Sequence, residues 1–181
     1  EMPLSISKSY SNWLPSAHVN YDLNEDTKIR ASITTAVSRP GYNEARASAG
    51  ISPVNQSVSG GNPYLEPEES WGLDLAYEWY FGEASIFAAS AFYREVDNVI
   101  VAGSTTVDGS VYSPAAQPGE QWTLSGSANG TDGELKGIEL NFIDRLDHYI
   151  TGPLSGFGVE LNLAAIDSSF TAPDGNEYSL P

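Results

Sequence analysis

Polar and apolar residues alternate most cleanly between Trp71 and Phe81. Trp71, Leu73, Leu75, Tyr77, Trp79 and Phe81 share one parity, and Gly72, Asp74, Ala76, Glu78 and Tyr80 share the other. Successive side chains of a β-strand point to opposite faces, so this period predicts a strand of about eleven residues. One face is large and apolar, and the other carries carboxylates and small groups. The rhythm recurs in four other segments: Trp13 to Leu23, Lys28 to Ser38, Glu134 to Ile143 and Phe157 to Ala165. A sixth strand is predicted from Ser85 to Val101. There Ile86, Ala88 and Phe92 compete with Phe87, Ala89, Ala91 and Tyr93, so its faces stay unassigned. No helix is predicted.

The connections carry a second pattern. Asn24-Glu25-Asp26-Thr27 and Gly82-Glu83-Ala84 are tight reversals, rich in turn-forming residues. Two long irregular stretches, Tyr42 to Ser70 and Ala102 to Gly133, separate the other strands, and a medium connection runs from Asp147 to Ser155. The tail from Ser168 to Pro181 reads as the start of a third long loop. Loops of about thirty residues are out of place in a compact soluble domain. Alternating short turns and long loops are expected of outer-membrane barrels, whose strands of roughly 9–11 residues cross the bilayer at a tilt. Aromatic residues near the strand ends (Trp13, Tyr21, Trp71, Trp79, Tyr80, Phe81) suit bilayer interfaces. A soluble β-sandwich with carbohydrate-binding aromatic loops is the alternative, because a lipid-facing side and a core-facing side alternate alike.

Composition narrows the function. With 24 acidic against 8 basic residues the formal charge is −16, which argues against a nucleic-acid surface, since phosphate contacts need clustered Lys and Arg. There is no cysteine, hence no disulfide and no thiolate chemistry. No run of apolar residues is long enough for a transmembrane helix. Glu1 to Leu4 lacks the basic and apolar regions of a leader, and both termini read as those of a segment from a longer protein. His18 and His148 lie far apart without ligand spacing, and no carboxylate pair stands out. No metal site, cofactor or catalytic constellation is therefore expected, and an anchored hydrolase ranks last among the readings.

The stretch Asn62-Pro63-Tyr64-Leu65-Glu66-Pro67-Glu68-Glu69-Ser70 resembles the N-P-x-L-x-P-E-x-S segment of TonB-dependent outer-membrane receptors. Four more segments are similar to that family's motifs, in the family's order. They are Tyr10 to Ser16 (Y-x-x-W-L-P-S), Ile29 to Ser32 with Ser38 to Tyr42 (R-A-S … S-R-P-x-Y), Ala91 to Ile100 and Leu135 to Glu139. The resemblance implies an all-β, antiparallel up-and-down transmembrane barrel of about 22 strands around a plug. Residues 1–181 would supply about six of its strands, with the plug and terminal strands absent. It implies nutrient uptake (an iron chelate or an oligosaccharide) energised by the TonB complex through the missing plug, in contact with outer-membrane lipid and lipopolysaccharide. The acidic surplus is a candidate for holding divalent ions that bridge to lipopolysaccharide.

Loops carry recognition, and flat rings stack on sugars or catechols, so Tyr42, Tyr64, Tyr112 and Trp122 are the candidate ligand contacts, expected to be exposed. Asn62, Pro63, Leu65, Pro67 and Glu68 are expected to shape the barrel rim, where proline removes donors that would invite pairing. Glu68 and Glu69 are candidates for binding cations or a basic plug surface, or else are solvated, and Arg39 is a candidate partner for them.

Overall fold

The computed structural model describes residues 7–172 and 175–179. Among the described residues, eleven strands form two sheets. The larger sheet is the wall. It is built from β1 (Ala17–Asn24), β2 (Thr27–Ser38), β5 (Glu68–Gly82), β6 (Ser85–Asp97), β9 (Gly133–Arg145), β10 (Gly158–Thr171) and β11 (Glu177–Tyr178) in the order β1-β2-β5-β6-β9-β10-β11. Every neighbour is antiparallel. The wall is an open, up-and-down transmembrane barrel segment, with the predicted long strands present at nearly the predicted positions.

Three boundaries differ most from expectation. β1 starts at Ala17 because Pro15 has no N–H to give to a ladder; its carbonyl accepts instead from Thr35 Oγ1 at 2.8 Å. The strand after the second tight turn ends at Asp97 rather than Val101, because Asn98 adopts φ 60° and turns the chain. The tail does not open a loop at Ser168: β10 runs to Thr171 and β11 folds back on it.

Cross-strand partners share a face, and register fixes both faces of the wall. Leu75 opposes Ala31 and Ala91, Ala91 opposes Ile138, and Ile138 opposes Ala165. This assigns Phe87, Ala89, Ala91 and Tyr93 to the apolar face. Ala88, Ser90, Phe92 and Arg94 lie on the other face with Glu78, Ala76, Asp74 and Gly72. The apolar face has no protein above it: Leu161 is 61% and Leu163 64% exposed.

The polar face is cross-linked by charge. Arg30 grips Glu78 with Nε and Nη2 at 2.8 and 3.3 Å, and reaches Asn20 with Nη1. Arg94 binds Asp74 at 2.9 Å and Thr34 at 3.1 Å, while Ser32 donates to Asp74. Arg94 lies across β5 over Gly72, where an added Cβ would collide with its guanidinium. Phe92 covers Gly137 in the same way, with only 2.6 Å between its Cζ and a Cβ placed there.

The two long stretches between wall strands are ordered. The first holds a one-turn helix, α1 (Tyr42–Ala45), then β3 (Ala49–Ser52) and β4 (Ser57–Gly60); the second holds β7 (Ile100–Asp108) and β8 (Gln121–Asn129). Together they make a four-stranded sheet, β3-β4-β8-β7, in which β4 and β8 are parallel. Two short 3-10 turns occupy Gly109–Val111 and Leu146–His148, so the expectation of no helix fails by three short turns. Val58, Ala116 and Trp122 form the core of this loop sheet, with Val107, Tyr112 and Leu124 packed against it. A β-sandwich would bury both sheets against each other over a shared core. Here the buried cluster belongs to the loop sheet alone, among the described residues, and nothing supports the sandwich alternative.

Candidate functional site

The segment Asn62–Glu68 sits between the loop sheet and the wall, and many of its polar groups are hydrogen-bonded. Asn62 Oδ1 accepts from Tyr64 N at 3.0 Å, closing a turn that Pro63 pre-extends. Its backbone N–H donates to Glu44 O at 2.6 Å, and its Nδ2 to Ser127 O at 3.2 Å, so one residue ties α1 to β8. Leu65 is 0% exposed and anchors the bracket. Lys8 Nζ donates to the carbonyls of Tyr64 and Leu65 and pairs with Glu66 at 2.6 Å, and Tyr10 OH donates to Leu65 O.

On the other side Asn129 is the clasp. Its Oδ1 accepts from Glu66 N at 2.8 Å, and its Nδ2 donates to Glu66 O at 3.0 Å and to Asn98 O at 2.8 Å. One amide thus holds both main-chain groups of Glu66 and the turn at Asn98. Pro67 follows without a donor to satisfy. Glu68 is half-buried and makes no ion pair among the described residues; its Oε1 accepts from Ile100 N at 2.8 Å, fixing the first residue of β7. Glu69 accepts from Asn12 Nδ2 at 2.6 Å. Arg39 makes no ion pair among the described residues. Sequence reasoning misses Asn129, which sits in a Gly/Ser-rich run with no periodic signal.

The ligand candidates divide. Tyr42 is 86% and Tyr64 71% exposed. The Asn62–Glu44 bond joins the segments that carry them. Trp122 is 1% exposed, a correction to its reading as an exposed loop aromatic. It fills the loop-sheet core because Gly109 leaves room for the indole, which a Cβ there would meet at 2.5 Å. Tyr112 is half-buried against the same cluster. Trp122 Nε1 donates to Glu120 Oε1 at 2.9 Å.

Beside it, hydrogen bonds hold two carboxyls below their usual range. Asp108 accepts from the hydroxyl and N–H of Ser110 and from Gly119 N. Glu120 accepts from Gln117 N, Trp122 and Gln56. His18 lies on the polar face opposite Ser32, and the side chain of His148 lies outside the described residues. Acidic residues meet at the rim, where Glu69 opposes Asp97 and Glu95 opposes Glu134. No group of three or more potential ligands there or elsewhere has metal-holding geometry, among the described residues.

The sequence matches the family described as TonB dependent receptor-like, beta-barrel, over residues 4–181. The chain belongs to this family. Solved TonB-dependent receptors share its fold. The siderophore receptor PirA from Pseudomonas aeruginosa aligns over 89% of this chain and 31% of its own, at 18% identity and a TM-score of 0.59. A mutant of the ferric enterobactin receptor PfeA from the same organism, solved in complex with enterobactin, covers 89% and 22%, at 18% identity and a TM-score of 0.61. The siderophore receptor PirA from Acinetobacter baumannii covers 92% and 27%, at 18% identity and a TM-score of 0.55. The chain therefore spans less than a third of these receptors' length. Comparison with curated proteins gives no significant match.

Family membership explains the wall's apolar face. Members are outer-membrane proteins, and a face without protein cover is suited to lipid. Trp71 and Tyr93 pair at the loop end, 5.5 Å between ring centroids, while Trp79, Phe81 and Phe142 cluster at the short-turn end at 5.0 and 5.8 Å. Along β5, Trp71 and Trp79 are roughly 26 Å apart at about 3.3 Å per residue. The apolar band of an outer-membrane barrel is about 25 Å tall.

Proposed function

We propose that this chain is part of the barrel of an outer-membrane active transport receptor for a scarce nutrient, an iron chelate or an oligosaccharide. In this reading residues 1–181 are a partial barrel domain, and a plug outside this chain couples the receptor to the TonB complex. The observation that carries the reading is the two-sheet architecture. An amphipathic wall with an unpartnered apolar face continues without a break into a loop sheet that has its own core and is clasped to the rim by Asn62, Glu68 and Asn129.

A soluble binding module would not leave Leu75, Leu161 and Leu163 uncovered. The solved neighbours, by their names, are siderophore receptors, which favours the iron chelate. Exposed Tyr42 and Tyr64 are the proposed ring contacts with the ligand. Outer-membrane lipid meets the apolar face, and lipopolysaccharide meets the aromatic and acidic residues at the loop end.

The test is uptake of radiolabelled ferric chelates and of labelled oligosaccharides by cells that express the full-length receptor, with and without a functional TonB complex. TonB-dependent accumulation of either class bears the proposal out. Binding without energised uptake, or no accumulation of any probe, contradicts it.

A further inference from the structure

The apolar face of the wall is not evenly filled. A furrow crosses it between two cross-strand rows, with Ile33, Leu73, Tyr93 and Lys136 on the loop side and Ala31, Leu75, Ala91 and Ile138 on the other. Its floor is the backbone between the rows, at Gly137 and at Ser32, Asp74 and Phe92, whose side chains turn to the opposite face. Alanine at 31 and 91 leaves open the space on both sides of Leu75. The furrow holds about 590 Å³ from β1 to β6 and about 340 Å³ from β6 to β10, and the two stretches share Phe92.

Its borders change along its length. From β1 to β6 they are apolar. At β9 and β10 they become charged: Lys136 Nζ lies 2.6 Å from Glu134 and 3.7 Å from Asp167, and Tyr93 OH donates to Glu134 at 3.2 Å. Depth is defined as well. Leu75 lies midway between Trp71 and Trp79, so on β5 the furrow sits just to the loop side of the band's centre. Toward the short turns the same face is filled by rings, Tyr77, Trp79, Phe87 and Phe142. Long loops of outer-membrane barrels face the cell exterior, which puts the furrow in the exterior leaflet.

We infer that this furrow binds one acyl chain of lipopolysaccharide, with the phosphorylated sugar headgroup against Lys136, Glu134 and Asp167. A furrow touches an alkyl chain from beneath and from both flanks, where a flat face touches it from one side. Strands tilted by roughly 35–45° make a cross-strand row oblique to the bilayer normal, so the furrow changes depth and its charged end is the one that meets headgroups. There the ammonium group suits a phosphate, and the carboxylates accept from sugar hydroxyls. The inference rests on the reading of this face as the outer-membrane lipid side and deepens it, from general lipid contact to a defined site.

The test uses the full-length receptor in nanodiscs, with deep-rough lipopolysaccharide, phosphatidylethanolamine and phosphatidylglycerol as probes and native mass spectrometry as the readout. The wild type should retain one lipopolysaccharide that neither phospholipid displaces at equal concentration. Ala31→Leu/Ala91→Leu keeps the face apolar but fills the furrow, and should retain roughly tenfold less. Ala89→Leu, on the same face one row nearer the short turns, should retain as much as the wild type, and Lys136→Gln should fall between the two. Heat-modifiability of each variant reports insertion, and the displacement experiment on the wild type needs no variant. No retained lipopolysaccharide, displacement by either phospholipid, or undiminished retention in the filled variant overturns the assignment. TonB-dependent uptake by the wild type judges the receptor reading separately.

Discussion

The wall and the loop sheet are both antiparallel for the most part, and both join without a chain break, yet they handle apolar surface in opposite ways. The wall leaves Leu75, Leu161 and Leu163 facing outward and stitches its other face with Arg30–Glu78 and Arg94–Asp74. The loop sheet hides Val58 and Trp122 beneath its own strands. Two solvents account for the contrast. A lipid-facing strand finds its apolar partner in the bilayer, whereas a sheet held in water must assemble a core of its own. The rim bracket marks the boundary, and Asn129 and Glu68 there fasten one regime to the other.

Substitution on the apolar face should break this contrast most severely. Leu75→Lys, midway between Trp71 and Trp79, should cost roughly 2–4 kcal/mol near the midplane and sharply lower the yield of inserted receptor on heat-modifiability gels. Glu160→Lys, on the opposite parity and without an ion pair among the described residues, should insert normally.

Loss of the loop-sheet core comes next. Trp122→Ala should destabilise that sheet by about 3–5 kcal/mol, exposing the segment 109–121 to protease while the wall remains heat-modifiable. Equal loss of both regions would show that they fold as one unit.

A smaller effect isolates the clasp. Asn129→Ala hands the exposed N–H and carbonyl of Glu66 to water, at about 0.5–1.5 kcal/mol for a hydrogen bond lost. Hydrogen exchange should accelerate at Glu66 and at the turn around Asn98, leaving the amides of β5 protected.

The subtlest effect is a pH response confined to the loop tip. The carboxyls of Asp108 and Glu120 are held below their ordinary range by the hydrogen bonds they accept. Their contribution is therefore full at neutral pH and is lost as pH falls through and below about 4, where the unfolded groups take up protons. The indole signal of Trp122 in an NMR titration should move in that window and stay still above it. In Asp108→Asn/Glu120→Gln the movement should vanish.

What is legible in the sequence follows the same division. In the wall, alternation is enforced on both faces, so β2, β5, β9 and β10 can be read from parity alone. β6 cannot, because Phe92 covers Gly137 on the polar side and alanines sit on the apolar side; only its register with β5 and β9 settles the matter. In the loops, β3 (AGIS), β4 (SVSG) and much of β7 and β8 consist of small and hydroxyl residues that carry no period. Their pairing is also long-range, β4 finding β8 from a different loop. Trp122 misleads for that reason: among glycines and serines it resembles an exposed ring, and nothing local indicates that Val58 will meet it. The rim segment lies between β4 of the loop sheet and β5 of the wall, into which its prolines lead. Its clasp at Asn129 leaves no trace in the pattern, since a lone asparagine in a Gly/Ser run looks like any loop residue.

The most direct test of the two-solvent account is site-directed spin labelling along β5 of the full-length receptor in lipid bilayers. Labels at positions 73, 75 and 77 should be relaxed by oxygen and shielded from a polar nickel chelate, while labels at 74, 76 and 78 should not be relaxed by oxygen. Absence of alternation, or alternation of the opposite phase, would contradict the assignment of this face to lipid.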